Sequence, residues 1–198
     1  RNRGLSSSEF LARYTSRHIG EQTGLVVVTL RHDASPLKRC PFVTPHGCGV
    51  YDDRPSSCRA YPLARIASRS RETGLVTERY LLMKEPHCKG FEGGDTQTVR
   101  QWVKRQGLDE YNMANDLMME IISEKNRLSP GAPLDLVSQK IFYTGCYDLD
   151  GFKKEVFETG GADDLDIDRE TMDLAASDET ALLRVALAWV KKMLFKPA

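Results

Sequence analysis

The sequence lacks several features that would place it in a recognisable class of protein. No stretch approaches the run of about 18 apolar residues that a membrane span needs, and there is no signal-peptide pattern. Net charge is also absent, because 28 basic residues balance 28 acidic ones. We therefore expect no membrane partner, and we expect no nucleic-acid partner recruited by bulk charge.

Cysteine is scarce and unevenly placed. The chain of 198 residues has five cysteines, none before Cys40, and no two of them form a Cys-x-x-Cys pair. An odd, clustered set argues against a disulfide scaffold and for a reducing compartment. We therefore predict a cytoplasmic protein with metal-binding or reactive thiols. The chain also begins without Met, and we expect residues upstream of Arg1.

Basic residues are concentrated in one stretch despite the overall balance. Residues 54–71 contain no acid and five arginines, which are Arg54, Arg59, Arg65, Arg69 and Arg71. Such a stretch could bind RNA. The favoured interpretation is a solvated hairpin face whose charge offsets that of nearby thiolates.

Residue patterns predict an α+β fold. Ser6 and Glu9 have the spacing of a capping box, and the β-branched run after Gly24 is typical of a strand. From Thr96 onward, apolar residues recur at helical spacing. The predicted elements are a helix over 5–18, a strand over 24–33, a hairpin over 62–69 and 75–84, and helices near 98–106, 108–127, 134–144, 148–158 and 178–195.

These elements predict two domains. Residues 1–95 are expected to form a small, loop-rich cysteine module with a short hairpin, and residues 96–198 a helical region packed on it. The last helix carries a wide apolar stripe that includes Trp189. We expect this stripe to pack within the chain, and the alternative is a protein partner or a homodimer through the C-terminal helices.

Four cysteines lie in two predicted loops that are rich in glycine and proline. Seven residues separate Cys40 from Cys48, nine separate Cys48 from Cys58, and twenty-nine separate Cys58 from Cys88. Such loops can turn several sulfurs toward one point, and clustered thiolates need a cation. We therefore predict that these four cysteines bind zinc or iron. The alternative is that they are small, buried core residues.

The other candidate ligands are interpreted differently. Cys146 lies near the end of a predicted helix among aromatic residues, and we expect a core thiol there. His46 and His87 lie close to predicted ligands in the sequence. Because neighbouring residues rarely both point at one ion, we expect His87 next to the ligands or at the surface, and we expect neither histidine to bind the metal.

The segment CPFVTPHGCGVYDDRPSSCRAYPL, residues 40–63, resembles the YkgJ-type cysteine cluster family, which is described as a zinc- or iron-chelating domain. The matching elements are Cys-Pro-Phe at 40–42, Gly-Cys-Gly-Val-Tyr at 47–51, Arg-Pro at 54–55, Cys-Arg at 58–59 and Tyr-Pro at 61–62. HCKGF at 87–91 is similar to a later family element, and GLSSSEFLARY at 4–14 to the helix before the core. The resemblance covers residues 4–95 and implies a thiolate metal site.

The resemblance has two further implications. Family members usually carry an additional Cys-x-x-Cys-Cys cluster ahead of the helix, and we expect that cluster upstream of Arg1. It would enlarge the ligand set, which could then hold more than one metal or an iron–sulfur cluster. A distant relation to flagellin lysine methylases implies the alternative function, an iron–sulfur-dependent enzyme, although no separate catalytic acid, base or nucleophile is visible.

Other residues of the cysteine segment have physical interpretations of their own. Arg59 follows a predicted ligand and could offset thiolate charge or donate to a sulfur. Arg54 either bonds to a loop carbonyl or serves the site, and the two interpretations are evenly matched. Tyr51 and Tyr61 could shield the site from water.

Overall fold

The computed structural model describes residues 4–70, 72–86 and 88–195. Over these residues the chain forms eight α-helices and three antiparallel two-stranded sheets, which confirms the predicted α+β fold with a C-terminal helical part. The helices are α1 Ser7–Tyr14, α2 Ser56–Ala60, α3 Val99–Arg105, α4 Asp109–Leu128, α5 Leu136–Cys146, α6 Leu149–Phe152, α7 Arg169–Ala175 and α8 Glu179–Phe195. The strands are β1 Thr15–Ile19 with β2 Val26–Leu30, β3 Val43–Thr44 with β4 Gly47–Cys48, and β5 Leu63–Arg69 with β6 Val76–Leu82.

The chain divides into two compact units. The first unit takes the chain up to Val50 and again from Glu120 onward, and the second unit is Tyr51–Met119. The first unit is therefore discontinuous in sequence. The predicted boundary near residue 95, between a cysteine module and a helical region, stays a prediction.

The N-terminal helix is capped as predicted but ends earlier than predicted. The Ser6 hydroxyl accepts from the Glu9 amide at 3.2 Å, and the Glu9 carboxylate accepts from the Ser6 amide at 2.9 Å, which completes the capping box. The prediction of helix over residues 15–18 is wrong, because they belong to β1. The apolar helical spacing stops at Tyr14, and the backbone from Thr15 onward pairs instead with the β-branched strand β2.

A buried lysine binds the end of α4 to the loop that follows it. Lys125 is only 2% exposed, and its ammonium donates to the Ser129 carbonyl at 2.7 Å and to the Ala132 carbonyl. The same loop lies against Gly24, whose carbonyl accepts from the Leu134 amide at 3.2 Å. The ammonium therefore satisfies carbonyls that the helix end and its loop leave without partners.

The first unit has its core where α5 meets α8. Gly145 allows the close approach, because a Cβ atom there would lie 2.3 Å from Cγ2 of Val190. The rings of Phe152 and Trp189 pack at 5.5 Å between centroids. The apolar stripe of α8 is buried in this core, which confirms that it packs within the chain. Over the described residues, none of the helices combines the length and the apolar character needed to cross a membrane.

The second unit consists of the predicted hairpin and two of the predicted helices. Strands β5 and β6 pair in antiparallel register, and α3 begins at a capping box formed by Thr98 and Gln101. The indole of Trp102 donates to the Ala60 carbonyl at 3.0 Å. Among the described residues of this unit, Leu108 is the one apolar side chain that is buried. Hydrophobic burial therefore contributes little to its stability.

Candidate functional site

Each of the two compact units contains two of the four predicted ligands. Cys40 and Cys48 belong to the first unit, and Cys58 and Cys88 belong to the second. Cys48 and Cys58 are exposed, whereas Cys40 and Cys88 are half-buried, and none of them forms a disulfide. The alternative prediction of four buried core thiols therefore does not describe them.

The first pair lies around a small hairpin anchored by Phe42. The Cys40 carbonyl accepts from the Val43 amide at 3.1 Å, and Cys48 is the cross-strand partner of Val43. Phe42 itself is buried, with its ring centroid 4.9 Å from that of Tyr14 on α1. The Cys-Pro-Phe element thus fixes the hairpin through its phenylalanine and leaves the cysteines outside the core. His46 lies in the exposed turn of the hairpin.

Cys58 lies on α2, and the arginine that follows it holds the surrounding loop. The Arg59 guanidinium donates to the carbonyls of Arg54 at 3.0 Å, Gln106 at 3.2 Å and Asp52. It also lies over the ring of Tyr111, 5.3 Å from the centroid. Over the described residues, the donors of Arg59 therefore bind backbone carbonyls and not a sulfur.

The interpretation of Arg54 as a structural residue agrees with its contacts. Its guanidinium donates to the Tyr51 carbonyl at 2.5 Å and to the Gln106 side chain at 2.5 Å, and it stacks on the Tyr51 ring at 3.8 Å. Tyr51 remains 60% exposed. Its ring and its carbonyl both support Arg54, and its predicted shielding role stays a prediction.

Most arginines of the basic stretch donate hydrogen bonds to acceptors within the second unit. The predicted solvated hairpin face does not describe these arginines. Arg65 on β5 binds both carboxylate oxygens of Asp116 on α4, at 2.8 and 3.2 Å, and donates to Glu78 at 2.8 Å. The Asp116 and Glu78 carboxylates raise the pKa of Arg65 against the opposing effect of burial. Arg69 donates to the Gly74 carbonyl at 3.1 Å. Arg71 lies outside the described residues.

Cys88 lies near Tyr61, the second tyrosine of the cysteine segment. Its amide donates to the Glu85 carbonyl at 2.9 Å, and the chain then enters a short 3-10 turn over Lys89–Phe91. The Cys88 thiol, burial and the Glu85 carboxylate together raise the pKa of the Tyr61 hydroxyl. That hydroxyl is buried and completes no hydrogen bond of ordinary geometry among the described residues. The Tyr61 hydroxyl therefore lies near the Cys88 thiol, and its predicted role in shielding a site from water stays a prediction. His87 lies outside the described residues.

The described side chains do not form a ready-made metal site. Over residues 4–70, 72–86 and 88–195, no three or more His, Cys, Asp or Glu side chains come together in a way that could hold a metal ion. The donor chemistry suits zinc or iron, since thiolates bind both, but the side chains are not gathered as a finished site would require. The ligand set Cys40, Cys48, Cys58 and Cys88 stays a prediction.

Cys146 is a different kind of thiol. It is the last residue of α5 and follows the buried Gly145, and burial raises the pKa of its thiol above the ordinary value of 9.0. Because the folded-state pKa is raised, the thiol contributes stability below pH 9.0, and this contribution is lost as the pH rises above that value. By side-chain exposure Cys146 is half-buried, as Cys40 and Cys88 are, so its predicted core position is confirmed only in part.

We expect the stability of the protein to fall between about pH 8 and about pH 10, and to fall less in a Cys146→Ala variant. The measurement is urea unfolding across this range, with each variant referred to its own value at pH 7. Lys125, whose pKa burial lowers, acts in the opposite direction but equally in both proteins. An identical pH dependence in the two proteins would show that the Cys146 thiol is not buried.

The sequence did not predict that Arg59, Arg65 and Arg69 bind acceptors within the second unit. Their acceptors are backbone carbonyls and the side chains of Glu78 and Asp116, and none of these leaves a pattern in the sequence near the arginines. Comparisons of the chain with protein-family models, with curated proteins and with solved structures find no match. The resemblance of residues 40–63 to the YkgJ-type cysteine cluster family stays a prediction.

Proposed function

We propose that this chain is a metal-binding protein whose cysteines at positions 40, 48, 58 and 88 bind zinc or iron. The observation that supports it is the position of these thiols outside the core, two of them exposed and two half-buried. An exposed unpaired thiol gains nothing from packing and is open to oxidation, so its presence calls for a chemical role. Four accessible thiols in or beside turns rich in glycine and proline are suited to a thiophilic cation.

The small core of the second unit gives a second reason for a metal. Leu108 is its one buried apolar side chain among the described residues, and domains with so little core commonly need a cross-link. Metal binding to Cys58 and Cys88 would supply that cross-link by drawing their loops together, since the free energy of binding adds to that of folding. The proposal includes a reducing compartment, the cytoplasm, in which such thiols stay reduced.

The test is the metal content of protein purified without oxygen and with a reductant, measured by elemental analysis. We expect about one metal ion per chain for a mononuclear four-thiolate site, or about two to four irons for an iron–sulfur cluster, and a loss of most of the metal in Cys48→Ser and in Cys58→Ser. Both residues are exposed, so these changes leave packing intact. Cys146→Ser is the matched control, and we expect it to keep its metal.

The absorption spectrum of the same samples identifies the metal. A colourless protein contains zinc, whereas a brown one whose visible bands bleach on reduction contains an iron–sulfur cluster. The alternative, an iron–sulfur-dependent enzyme, requires the second result. A parent protein without metal, or Cys48→Ser and Cys58→Ser variants that keep as much metal as Cys146→Ser, would refute the proposal.

A further inference from the structure

A cavity of about 630 Å³ lies in the first unit, and none of the predicted ligands lines it. It is lined by residues of β1, β2, α5 and α6, and by Glu155 from a five-residue π-helical segment, Lys153–Phe157, that follows α6. Pockets that hold small organic molecules have volumes of this order. A π-helical turn is a rare conformation that occurs frequently at functional sites.

Two cations line this cavity without an acidic partner. Arg17 on β1 lies over the ring of Tyr143 on α5, 5.1 Å from its centroid, and Lys140 precedes Tyr143 by almost one helical turn. Over the part of the chain that the structure describes, neither cation has an ion pair or a side-chain hydrogen bond. A guanidinium held by a ring while its donors stay unused can bind an oxyanion through two parallel hydrogen bonds.

The two acids of the cavity differ in how strongly they oppose an anion. The carboxylate of Asp148 already accepts from the Ser7 hydroxyl at 2.7 Å, the Ser8 hydroxyl at 2.7 Å and the Gly151 amide at 3.2 Å. These donors spread its charge. Glu155 is exposed and has no such donors among the described residues. It is therefore the one group of the lining that is expected to weaken anion binding.

The remaining walls suit an apolar body with one hydrogen-bond acceptor. Ile19, Val26 and Leu136 supply aliphatic surface. Burial and the Asp148 carboxylate raise the pKa of Tyr143, with Arg17 opposing them, so its hydroxyl stays protonated at neutral pH. This hydroxyl can donate to a bound oxygen atom.

We propose that this cavity binds a small organic anion, in which Arg17 and Lys140 hold a carboxylate or phosphate group and the aliphatic wall holds its apolar body. The two oxyanions share the chemistry that the cations recognise, and the experiment distinguishes them. The proposal does not depend on metal binding, because the cavity contains no cysteine.

The test is a titration of the full chain followed by two-dimensional NMR, with benzoate, phenyl phosphate, inorganic phosphate and the neutral benzyl alcohol as probes. We expect benzoate or phenyl phosphate to shift cavity resonances with a Kd of about 1 mM or tighter. The tighter of the two identifies the oxyanion. Inorganic phosphate and benzyl alcohol, which each lack one half of the ligand, should bind at least about tenfold more weakly.

Three variants test the assigned residues. Arg17→Gln and Lys140→Gln are each expected to weaken the tighter probe about tenfold, and Glu155→Gln to tighten it about twofold to threefold. Arg13→Gln is the matched control, because Arg13 also lies over a tyrosine ring in the first unit but is not part of the cavity lining. The proposal is overturned if no anion shifts cavity resonances, if benzyl alcohol binds as tightly as the anions, or if Arg13→Gln weakens binding as much as Arg17→Gln.

Discussion

Replacing Gly24 with alanine is expected to lower the free energy of unfolding of the first unit by about 4 kcal/mol or more. The added Cβ atom would lie 2.0 Å from the Ala132 carbonyl oxygen and 2.8 Å from the Lys125 ammonium nitrogen. The first of these contacts is with backbone, so no rotamer change can relieve it. Relief requires the loop to move, and that movement breaks the bonds between Lys125 and the carbonyls of Ser129 and Ala132.

Gly131→Ala is the matched control for this experiment. Gly24 and Gly131 have nearly the same positive φ, 65° and 67°, but a Cβ atom at Gly131 would approach nothing closer than 3.9 Å. The control therefore carries only the cost of a left-handed alanine, about 1 kcal/mol. Denaturant unfolding measures both variants, and hydrogen exchange locates the loss. Equal destabilisation by the two changes would show that the loop does not approach Gly24 closely.

Replacing Arg59 with lysine is expected to destabilise the second unit by about 2–3 kcal/mol, although the charge is kept. The guanidinium reaches the carbonyls of Asp52, Arg54 and Gln106 at once because its donors form a planar fork. A lysine ammonium can reproduce at most part of this set. The loss is a large fraction of the stability of a unit in which Leu108 is the one buried apolar side chain among the described residues.

Arg79→Lys provides the control for the second unit. Arg79 lies exposed on β6 and has no polar partner among the described residues, so its replacement should stay within about 0.5 kcal/mol. Hydrogen exchange resolved by peptide is the measurement. We expect faster exchange over α2 and the loop before it in Arg59→Lys alone. Unchanged exchange there would mean that the three carbonyl bonds do not stabilise the unit.

The elements that could be predicted from the sequence are those set by near neighbours. The capping box at Ser6 and the apolar stripe of α8 each depend on residues within a few positions of one another, and the hairpin of β5 and β6 was marked by the polar, glycine-containing turn between its two strands. Residues 15–18 could not be placed in this way. Their pairing partners lie about a dozen residues away in β2, and cross-strand bonding outweighs the weak local preference of Ser, Arg and His.

The sequence predicted which residues to consider for the candidate site, but not their exposure or their long-range contacts. The spacing of the cysteines identified which thiols to consider, yet it carries no information on exposure, and the exposed state of Cys48 and Cys58 came only from the structure. The role of Phe42 as an anchor against Tyr14 was equally hidden, because the contact joins residues 28 positions apart. Arg59 bonds to Gln106, 47 positions away, for the same reason.

The insertion of the second unit into the first has a consequence for synthesis on the ribosome. Ser7 bonds to Asp150 across 143 positions, and Tyr147 to Val26 across 121, so the amino-terminal segment stays incomplete until the distal helices are translated. The second unit, Tyr51–Met119, is translated before those helices. It can therefore fold before the first unit is complete. A ribosome that stalls before α8 would therefore display the apolar face of α5 uncovered, and chaperones bind nascent chains that expose such a face.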